Sequence, residues 1–371
     1  MHDSDAILAR APGLTAAQLL AALARCGSTD ALLQASRDEL AACGIAAPAI
    51  DWLRRPDPAL VASDLAWRQR LGLGVLLAGP PDYPPLLAAT AGAPAALYLR
   101  GEVAALSQAQ LAMVGSRNPT ASGRETAWQF ARHFADTGLA ITSGLALGID
   151  AACHEGCLAA NGVTIAVCGT GLDAIYPAAH KDLAARILAT GGALVSEFPP
   201  GTAPRRHHFP QRNRIIAGLA LGCLVIEAAR DSGSLITARQ AGEYGREVFA
   251  VPGSIHNPLA HGCHQLIRDG AKLVETARHV LEELRLCNIN QVVTSTPTRG
   301  RTATGAAPQL DKDYEILLDA LGFEPTSVDQ LVARTGIAGD SIASMLLILE
   351  LKDLIEPCPG GRYSRIPDNR L

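Results

Sequence analysis

The feature that most constrains the fold is a regular alternation of short apolar runs with amphipathic helical segments between residues 71 and 285. Helical periodicity is clearest over residues 122–137 and 182–189. Strands that alternate with helices form a parallel sheet covered on both faces. We therefore predict an α/β fold with a doubly wound, mainly parallel sheet of Rossmann type. The runs predicted as strands are residues 75–79, 96–101, 111–114, 139–142, 164–168, 193–196, 223–227 and 247–251.

Residues 1–65 have the pattern of a small helical domain that precedes the sheet domain, which is predicted to span residues 71–285. Leucines recur at helical spacing over residues 16–25, and Gly27 and Gly44 interrupt the helical pattern. This arrangement is typical of a SAM-like or helix–hairpin–helix domain. Small helical domains of the same composition also commonly bind no ligand, so the sequence leaves the role of this domain open.

A second, smaller domain is predicted at the C-terminal end of the chain. Residues 286–309 lose periodicity and are rich in Thr, Gly and Pro, which predicts a linker. Residues 310–371 then show three helical segments and a hairpin turn at Gly360-Gly361, as in a winged-helix domain. The third helix carries Asp340 and Ser344 on its open face and no basic residue there. Contact with another protein is therefore at least as good an interpretation as reading of the DNA major groove.

Composition places the chain among ordinary globular proteins, with 48% hydrophobic and 18% charged residues. The first ten residues lack a secretion-signal pattern, and the longest apolar stretch, at residues 215–226, contains glycines and is too short to span a bilayer. We therefore expect a cytoplasmic protein with no membrane contact. The nine cysteines fit a reducing compartment. Cys153 and Cys157 lie one helical turn apart but lack further ligands at convincing spacing, so no metal is expected.

The segment 205–214 concentrates positive charge in a chain whose formal net charge is −4. It contains four arginines and the aromatic residue Phe209, with no carboxylate among them. Arginine has a planar fork suited to phosphate, and an exposed phenyl ring offers a face on which a base can stack. The segment therefore indicates a grip for single-stranded nucleic acid. A solvated loop held by internal or intersubunit ion pairs is the alternative.

Several loops follow the carboxyl ends of predicted parallel strands and therefore belong to the same edge of the sheet. Ligands of doubly wound sheets bind beyond this edge. We expect Arg117, Arg206, Phe209, Arg212 and the turn 232–234 to converge there and to supply charge, stacking and backbone donors together. Tight strand–helix turns without any ligand remain the alternative interpretation. The chain has neither a GxGxxG fingerprint with its acidic residue nor a GxxxxGK[ST] loop, so no nucleotide cofactor is expected.

Eight segments in order resemble motifs of the DprA/Smf family of bacterial DNA-processing proteins, and the resemblance extends over residues 71–280. The family resemblance implies an extended Rossmann domain between a SAM-like domain and a winged-helix domain. It also implies a homodimer that binds and protects incoming single-stranded DNA in natural transformation. Such proteins load RecA onto the strand and displace or bypass single-strand-binding protein. The segments are GSR, SGLALGIDAACH, GTGLDAIYP, SEFPPG, FPQRNRIIAGLA, EAARDSGSLITA, GREVFAVPG and GCHQLIRDGAKLV.

The resemblance also assigns candidate DNA contacts, residue by residue. The chain departs from the family pattern at Cys153, where alanine is usual, and at His264, where asparagine is common. Neither change falls on a candidate contact. The candidate DNA-binding residues are Gly115, Ser116, Arg117, Arg206, Phe209, Arg212, Asn213, Ser232, Gly233 and Ser234.

Two other functions are compatible with parts of the sequence. Nucleoside-monophosphate phosphoribohydrolases have a related Rossmann fold, and Glu227 near Arg212 and Arg214 could imitate their catalytic pair. Their PGGxGTxxE signature is absent, because the corresponding place reads RDSGSLITA. A transcription regulator would depend on the winged helix alone, and its non-basic third helix counts against that function. We therefore predict a DNA-binding protein that is not an enzyme.

Overall fold

A computed structural model describes residues 3–286, 312–321, 325–352 and 354–366, which belong to two compact units. The first unit lies within Met1–Thr294 and the second within Ser295–Leu371. Nearly all of the predicted linker, from residue 287 to 309, lies outside the described residues. The domain boundaries expected from the sequence therefore stay predictions.

The first unit is organised around a nine-stranded sheet, as far as the described residues go, with the order β1-β2-β6-β5-β4-β3-β7-β8-β9. The seven strands from β6 to β9 in this order pair in parallel, whereas β2 pairs antiparallel with β6 and β1 antiparallel with β2. The strands are β1 Gly74–Leu77, β2 Ala96–Gly101, β3 Gln110–Gly115, β4 Ala140–Ser143, β5 Thr164–Val167, β6 Ala193–Ser196, β7 Gly222–Ile226, β8 Glu247–Ala250 and β9 Lys272–Leu273.

Helices cover both faces of this sheet, so the central strands β4, β5, β6 and β7 are buried along their whole length. This explains why they read as continuous apolar runs in the sequence. The helices that follow the strands are α7 Pro85–Ala88, α8 Ala121–Asp136, α9 Ile149–Ala159, α10 Lys181–Ala189, α11 His208–Leu219, α12 Ser234–Glu243, α13 His261–Arg268 and α14 Ala277–Glu283. The mainly parallel sheet confirms the predicted fold class.

Strand order reverses at β3, because the chain proceeds from β3 towards β4, β5 and β6 and later returns to β7 on the other side of β3. A crevice forms at such a switch point, beyond the carboxyl ends of the two strands that flank it. The loops that begin at Gly115 and at Glu227 therefore lie side by side, and the amide of Ser116 donates a hydrogen bond to the Glu227 carbonyl at 2.7 Å.

The N-terminal region is helical, and it shares one apolar core with β1, β2 and helices of the sheet unit. Within this region, the guanidinium of Arg10 donates two 2.6 Å hydrogen bonds to the buried carboxylate of Asp64. The Tyr98 hydroxyl, on β2, donates to the same carboxylate at 3.4 Å and links the helices to the sheet. The helices are α1 Asp3–Ala9, α2 Ala16–Cys26, α3 Thr29–Gln34, α4 Arg37–Ala42, α5 Ala47–Arg54 and α6 Pro58–Leu71.

The second unit has three helices and a three-stranded sheet among its described residues, which is the winged-helix arrangement that the sequence predicted. Leu317, Leu331, Ile342 and Leu349 lie in its apolar core. Gly360 and Gly361 turn the hairpin with φ values of 84° and 68°. Its elements are α15 Lys312–Leu321, β10 Thr326–Ser327, α16 Val328–Thr335, α17 Gly339–Leu351, β11 Ile355–Cys358 and β12 Arg362–Arg365.

Within the described ranges, no single helix has the length and apolar character needed to cross a membrane; α16 and α17 meet the criterion only as a pair bent by 111°.

Candidate nucleic-acid interface

A cavity of about 860 Å³, which we call the sheet-edge cleft, opens at the carboxyl ends of β3 and β7. All ten candidate residues from the sequence line it, so the structure brings the predicted set together on one surface. The lining residues are Val114, Gly115, Ser116, Arg117, Asn118, Ala146, Asp150, Tyr176, Arg206, Phe209, Pro210, Arg212, Asn213, Ile216, Ala229, Asp231, Ser232, Gly233, Ser234 and Thr237.

The turn after β3 presents Arg117 to the cleft. A Cβ added to Gly115 would lie 1.9 Å from the Ile226 carbonyl oxygen, so only glycine allows β3 and β7 to approach this closely. The hydroxyl of Ser116 accepts a 3.1 Å hydrogen bond from the amide of Asn118 and closes the turn. Arg117 is exposed beyond it. The turn therefore holds one cation at the entrance of a rigid crevice.

Two aromatic rings form an apolar surface in the cleft. The ring centroids of Phe209 and Tyr176 are 5.7 Å apart, and the guanidinium carbon of Arg117 lies 5.4 Å from the Phe209 centroid. Phe209 is half-buried, whereas Tyr176 is 49% exposed. Sequence reasoning missed Tyr176, although aromatic residues make up only 4% of the chain and this one lies in a loop that follows a strand. An aromatic pair with an adjacent guanidinium can stack a base.

Arg212 lines the floor of the cleft, but its guanidinium is buried and faces the protein. Its Nη1 donates to the carbonyls of Gly144, at 2.6 Å, and of Val167. A Cβ on Gly144 would come within 2.5 Å of the Arg212 Nη2 and 2.6 Å of the Asp150 Oδ2, so both charged groups pack against this glycine. Burial raises the pKa of Asp150, which the charge of Arg212 opposes, and burial lowers the pKa of Arg212. Arg212 therefore holds together the backbone segments that form the floor of the cleft. Its expected contact with DNA stays a prediction.

The opposite wall of the cleft is the beginning of α12. Asn213 receives a 3.1 Å hydrogen bond from Nε of Arg212 and donates one of 3.1 Å to the Gly233 carbonyl, which fixes the turn against α11. The hydroxyls of Ser232 and Ser234 lie 2.7 Å apart. The first amides of α12 already donate within the turn: the Ser232 hydroxyl accepts from the Ser234 amide at 3.4 Å, and the Ser232 carbonyl accepts from the next amide at 3.1 Å. The expected supply of free backbone donors is therefore absent from these positions, and the positive dipole end of the helix is what favours an anion in the cleft.

The exposed charges of the cleft are predominantly positive. Among the described residues, neither Arg117 nor Arg206 takes part in an ion pair, and Asp231 is the exposed carboxylate of the lining. The cleft can therefore attract a polyanion through two cations that no described residue neutralises.

The residues of the hydrolase alternative are engaged elsewhere. The Glu227 carboxylate accepts hydrogen bonds from the Thr120 amide at 2.8 Å and from its hydroxyl at 2.6 Å, at the start of α8. Arg214 forms an ion pair with Glu197 and donates to the Gly92 carbonyl. Neither Glu227 nor Arg214 lines the sheet-edge cleft, so these two residues do not form a catalytic pair there.

The two departures from the family pattern fit their surroundings. Cys153 is fully buried in α9, and burial raises the pKa of its thiol. The Nε2 of His264 lies 2.9 Å from the Gly253 carbonyl oxygen, which satisfies the ring locally. In the part of the chain that the structure describes, no group of three or more His, Cys, Asp and Glu residues could hold a metal ion.

Comparison with known proteins identifies the family. The family described as DNA recombination-mediator protein A matches residues 74–285, and the DprA winged-helix domain matches residues 301–361. The chain belongs to the DprA/Smf family. It is 44% identical to Protein Smf of Escherichia coli over 308 residues, which cover 82% of this chain and 81% of that protein. It is 46% identical over 201 residues to the DNA processing protein DprA of Streptococcus pneumoniae, covering 54% of this chain and 71% of that protein.

Solved structures agree with this family. The X-ray structure of DNA processing protein A from Streptococcus pneumoniae superposes with a TM-score of 0.66 at 36% identity and covers 76% of this chain and 98% of that one. The DNA processing protein A of Helicobacter pylori, described for its single-stranded DNA binding mode, gives a TM-score of 0.52 at 26% identity. It covers 57% of this chain and 95% of that one.

Proposed function

We propose that the chain binds single-stranded DNA in the sheet-edge cleft, without sequence preference. One observation carries this proposal: Arg117 and Arg206, which form no ion pair with any described residue, lie in the same cleft as the rings of Phe209 and Tyr176 and the positive end of α12. Cations and the positive end of a helix attract phosphates, and aromatic rings stack bases that are not paired in a duplex. The Helicobacter pylori relative, described by its single-stranded DNA binding, supports the same ligand.

The family description, a recombination mediator, gives the next step of the proposal. The chain receives incoming DNA in natural transformation, protects it, and loads RecA onto the strand in place of single-strand-binding protein. This proposal places the protein in the cytoplasm. RecA assembly on a strand coated with single-strand-binding protein, followed with and without the protein, tests this step. Faster assembly with the wild type than with Arg206→Ala supports it, and equal rates without stimulation contradict it.

The proposed activity is binding and transfer, not catalysis. The hydrolase alternative assigns the catalytic carboxylate to Glu227, which lies outside the cleft lining and accepts two hydrogen bonds from Thr120. Incubation with nucleoside monophosphates is the direct check. We expect no release of ribose phosphate, and release that is abolished by Glu227→Gln would replace the binding proposal by the hydrolase one.

A homodimer is also part of the proposal, as the family resemblance implies. An exposed apolar surface is available for it: Ile255 and Leu273 are 73% and 45% exposed, and both line a cavity of about 450 Å³ together with Ile267. Sedimentation equilibrium of the wild type and of Ile255→Glu tests this surface. We expect a dimer that the substitution weakens, and a wild type that remains monomeric would contradict it.

Titration of labelled oligothymidylate against a duplex of equal length, at two salt concentrations, tests the proposed ligand. We expect tighter binding of the single strand at both concentrations, with affinity that falls as salt rises, because phosphate contacts release counterions. The Phe209→Ala variant should bind about 1–3 kcal/mol more weakly, as for the loss of one stacked base. Preference for the duplex, or a Phe209→Ala variant that loses affinity only through a lower melting temperature, would contradict the proposal.

A further inference from the structure

A second groove continues from the sheet-edge cleft on the other side of Arg117. This groove, which we call the α8 groove, has a volume of about 650 Å³ and shares Arg117 and Asn118 with the cleft. The two cavities are therefore contiguous at the turn between β3 and α8. The α8 groove is lined by Arg117, Asn118, Arg124, Glu125, Trp128, Leu147, Gly148, Ala151, Ala152, Glu155 and His180.

The α8 groove repeats the chemistry of the cleft. The guanidinium carbon of Arg132 lies 5.4 Å from the ring centroid of Trp128, the same distance that separates Arg117 from the Phe209 ring. Leu147 is 50% exposed in the groove and adds apolar surface. An indole ring with an adjacent guanidinium is a platform on which a base of any type can stack.

The balance of charge in this groove also favours a phosphate backbone. Arg124 and Arg132 are exposed on α8, and neither forms an ion pair with any residue that the structure describes. The carboxylate of Glu155 is already paired, at 2.7 Å, with Arg186. Glu125 accepts a 2.7 Å hydrogen bond from Gln129 and remains the one carboxylate of the groove lining without a cationic partner among the described residues. Arg124 in the groove lining and Arg132, which lies beside the Trp128 ring, therefore outweigh one carboxylate.

We propose that the α8 groove is a second subsite for the same single strand, which leaves the cleft over Arg117 and stacks a base on Trp128. This inference rests on the proposed function, because the strand enters the groove only from the cleft. The ligand class is a single-stranded oligonucleotide longer than the cleft alone accommodates. Arg124 and Arg132 contact its phosphates. A short oligonucleotide occupies the cleft and leaves Trp128 untouched.

Tryptophan fluorescence reports on this subsite directly, because the chain has three tryptophans and only Trp128 lies outside the N-terminal helices. Full-length protein is titrated with oligothymidylates of about 4 to about 16 nucleotides, the range of site sizes found in single-strand-binding folds. We expect quenching to begin only above a threshold length and to be absent in Trp128→Phe, which retains a ring. Fluorescence that is unchanged at every length, while labelled oligonucleotides bind, would overturn the inference.

Two substitutions test the energetics of the groove. Trp128→Ala should weaken binding of the long oligonucleotide about 5- to 150-fold, the loss expected for one stacked base, and leave binding of the short one unchanged. Arg124→Ala, at an exposed position that does not depend on the packing of α8, should also weaken only the long one. The matched control is Arg25→Ala, which removes an exposed arginine that lines neither cavity.

The outcomes separate this inference from the proposed function. If wild type and both groove variants bind the long strand with equal affinity, the second subsite is overturned. In that case the proposed function still stands, provided that Arg117→Ala weakens binding of the short strand. Failure of the proposed function appears differently, as absence of binding at every length or as indifference to Arg117→Ala. A loss that is equal for short and long strands in Arg124→Ala would also overturn the inference.

Discussion

Residues of one type serve different purposes in the sheet-edge cleft, and their environments decide which. Arg206 is exposed and has no ion-pair partner among the described residues, whereas Arg212 is 3% exposed and donates to two backbone carbonyls. An exposed arginine can contact phosphate, whereas a buried arginine stabilises the fold through its hydrogen bonds to backbone carbonyls. The two arginines should therefore respond differently to substitution.

Arg212→Ala is expected to lower the free energy of unfolding by about 3–5 kcal/mol, because it leaves buried acceptors and the nearby carboxylate of Asp150 without their cation. Arg206→Ala should change stability by less than about 0.5 kcal/mol, as at an ordinary surface position. Urea denaturation followed by circular dichroism measures both. An Arg212→Ala variant with normal stability and weakened DNA binding would show that Arg212 is a phosphate contact after all.

His154 provides a prediction about pH. Its ring is fully buried with Nδ1 2.7 Å from the Thr164 hydroxyl, and burial lowers the pKa of His154 to about 3. The unfolded chain binds the proton near pH 6.5, so stability is complete above that pH and declines as pH falls towards 3. Between pH 7.5 and 5.5 the wild type should lose roughly 1.4 kcal/mol more than His154→Gln. Urea denaturation at both values checks this, and parallel losses would contradict it.

The sequence was sufficient to predict which residues meet, and insufficient to predict how each one is used. Strand ends predicted that Arg117, Arg206, Phe209, Arg212 and the turn 232–234 converge, and the family motifs supplied the other three candidates. All ten line one cleft in the structure. Arg212 can be buried because Gly144 has no side chain and leaves room for its guanidinium. Gly144 belongs to another loop, so no local sequence pattern predicts this contact. Tyr176 was not predicted as a candidate for the same reason. Its place in the cleft depends on its ring lying 5.7 Å from that of Phe209, which is distant in sequence.

At the scale of elements, strands were easier to predict than the connections that position them. The eight predicted strands correspond to β1–β8, because buried strands produce continuous apolar runs; β9 has only two residues and leaves no such pattern. Glu227 illustrates the limit. Its carboxylate follows β7 but accepts hydrogen bonds from Thr120 at the start of α8, a pairing across 107 residues of sequence.

A buried ion pair within the N-terminal region joins Arg10, which follows α1, to Asp64 in α6. Arg10 and Asp64 have side-chain exposures of 11% and 1%, whereas the pair Arg37–Asp51, with the same 2.6 Å contact, is 59% and 61% exposed. Asp64→Ala should destabilise the first unit by about 3–5 kcal/mol, because it leaves the buried guanidinium of Arg10 without its counter-charge. Asp51→Ala is the control and should change stability by less than about 1 kcal/mol. Equal melting temperatures for the two variants would contradict this prediction.

At the scale of the whole molecule, the residues proposed to bind DNA all belong to the first unit. The second unit exposes apolar rather than basic side chains on α17, where Leu347 and Leu351 are 59% and 78% exposed. A chain truncated after Leu286 should therefore keep most of its affinity for single-stranded DNA and its dimeric state. Fluorescence anisotropy and sedimentation measure these properties. Loss of binding by the folded truncated chain would move the main site to the winged helix.

The salt dependence of binding is the sharpest test of DNA binding in the sheet-edge cleft, because it counts the phosphates that the cleft neutralises. A plot of log K against log salt for single strands becomes steeper by about 0.7 for each phosphate contact. We expect Arg117→Ala and Arg206→Ala each to lower the magnitude of the slope by about 0.7, whereas Arg25→Ala leaves it unchanged. Slopes equal to that of the wild type in both cleft variants, with the proteins folded, would contradict DNA binding by these arginines.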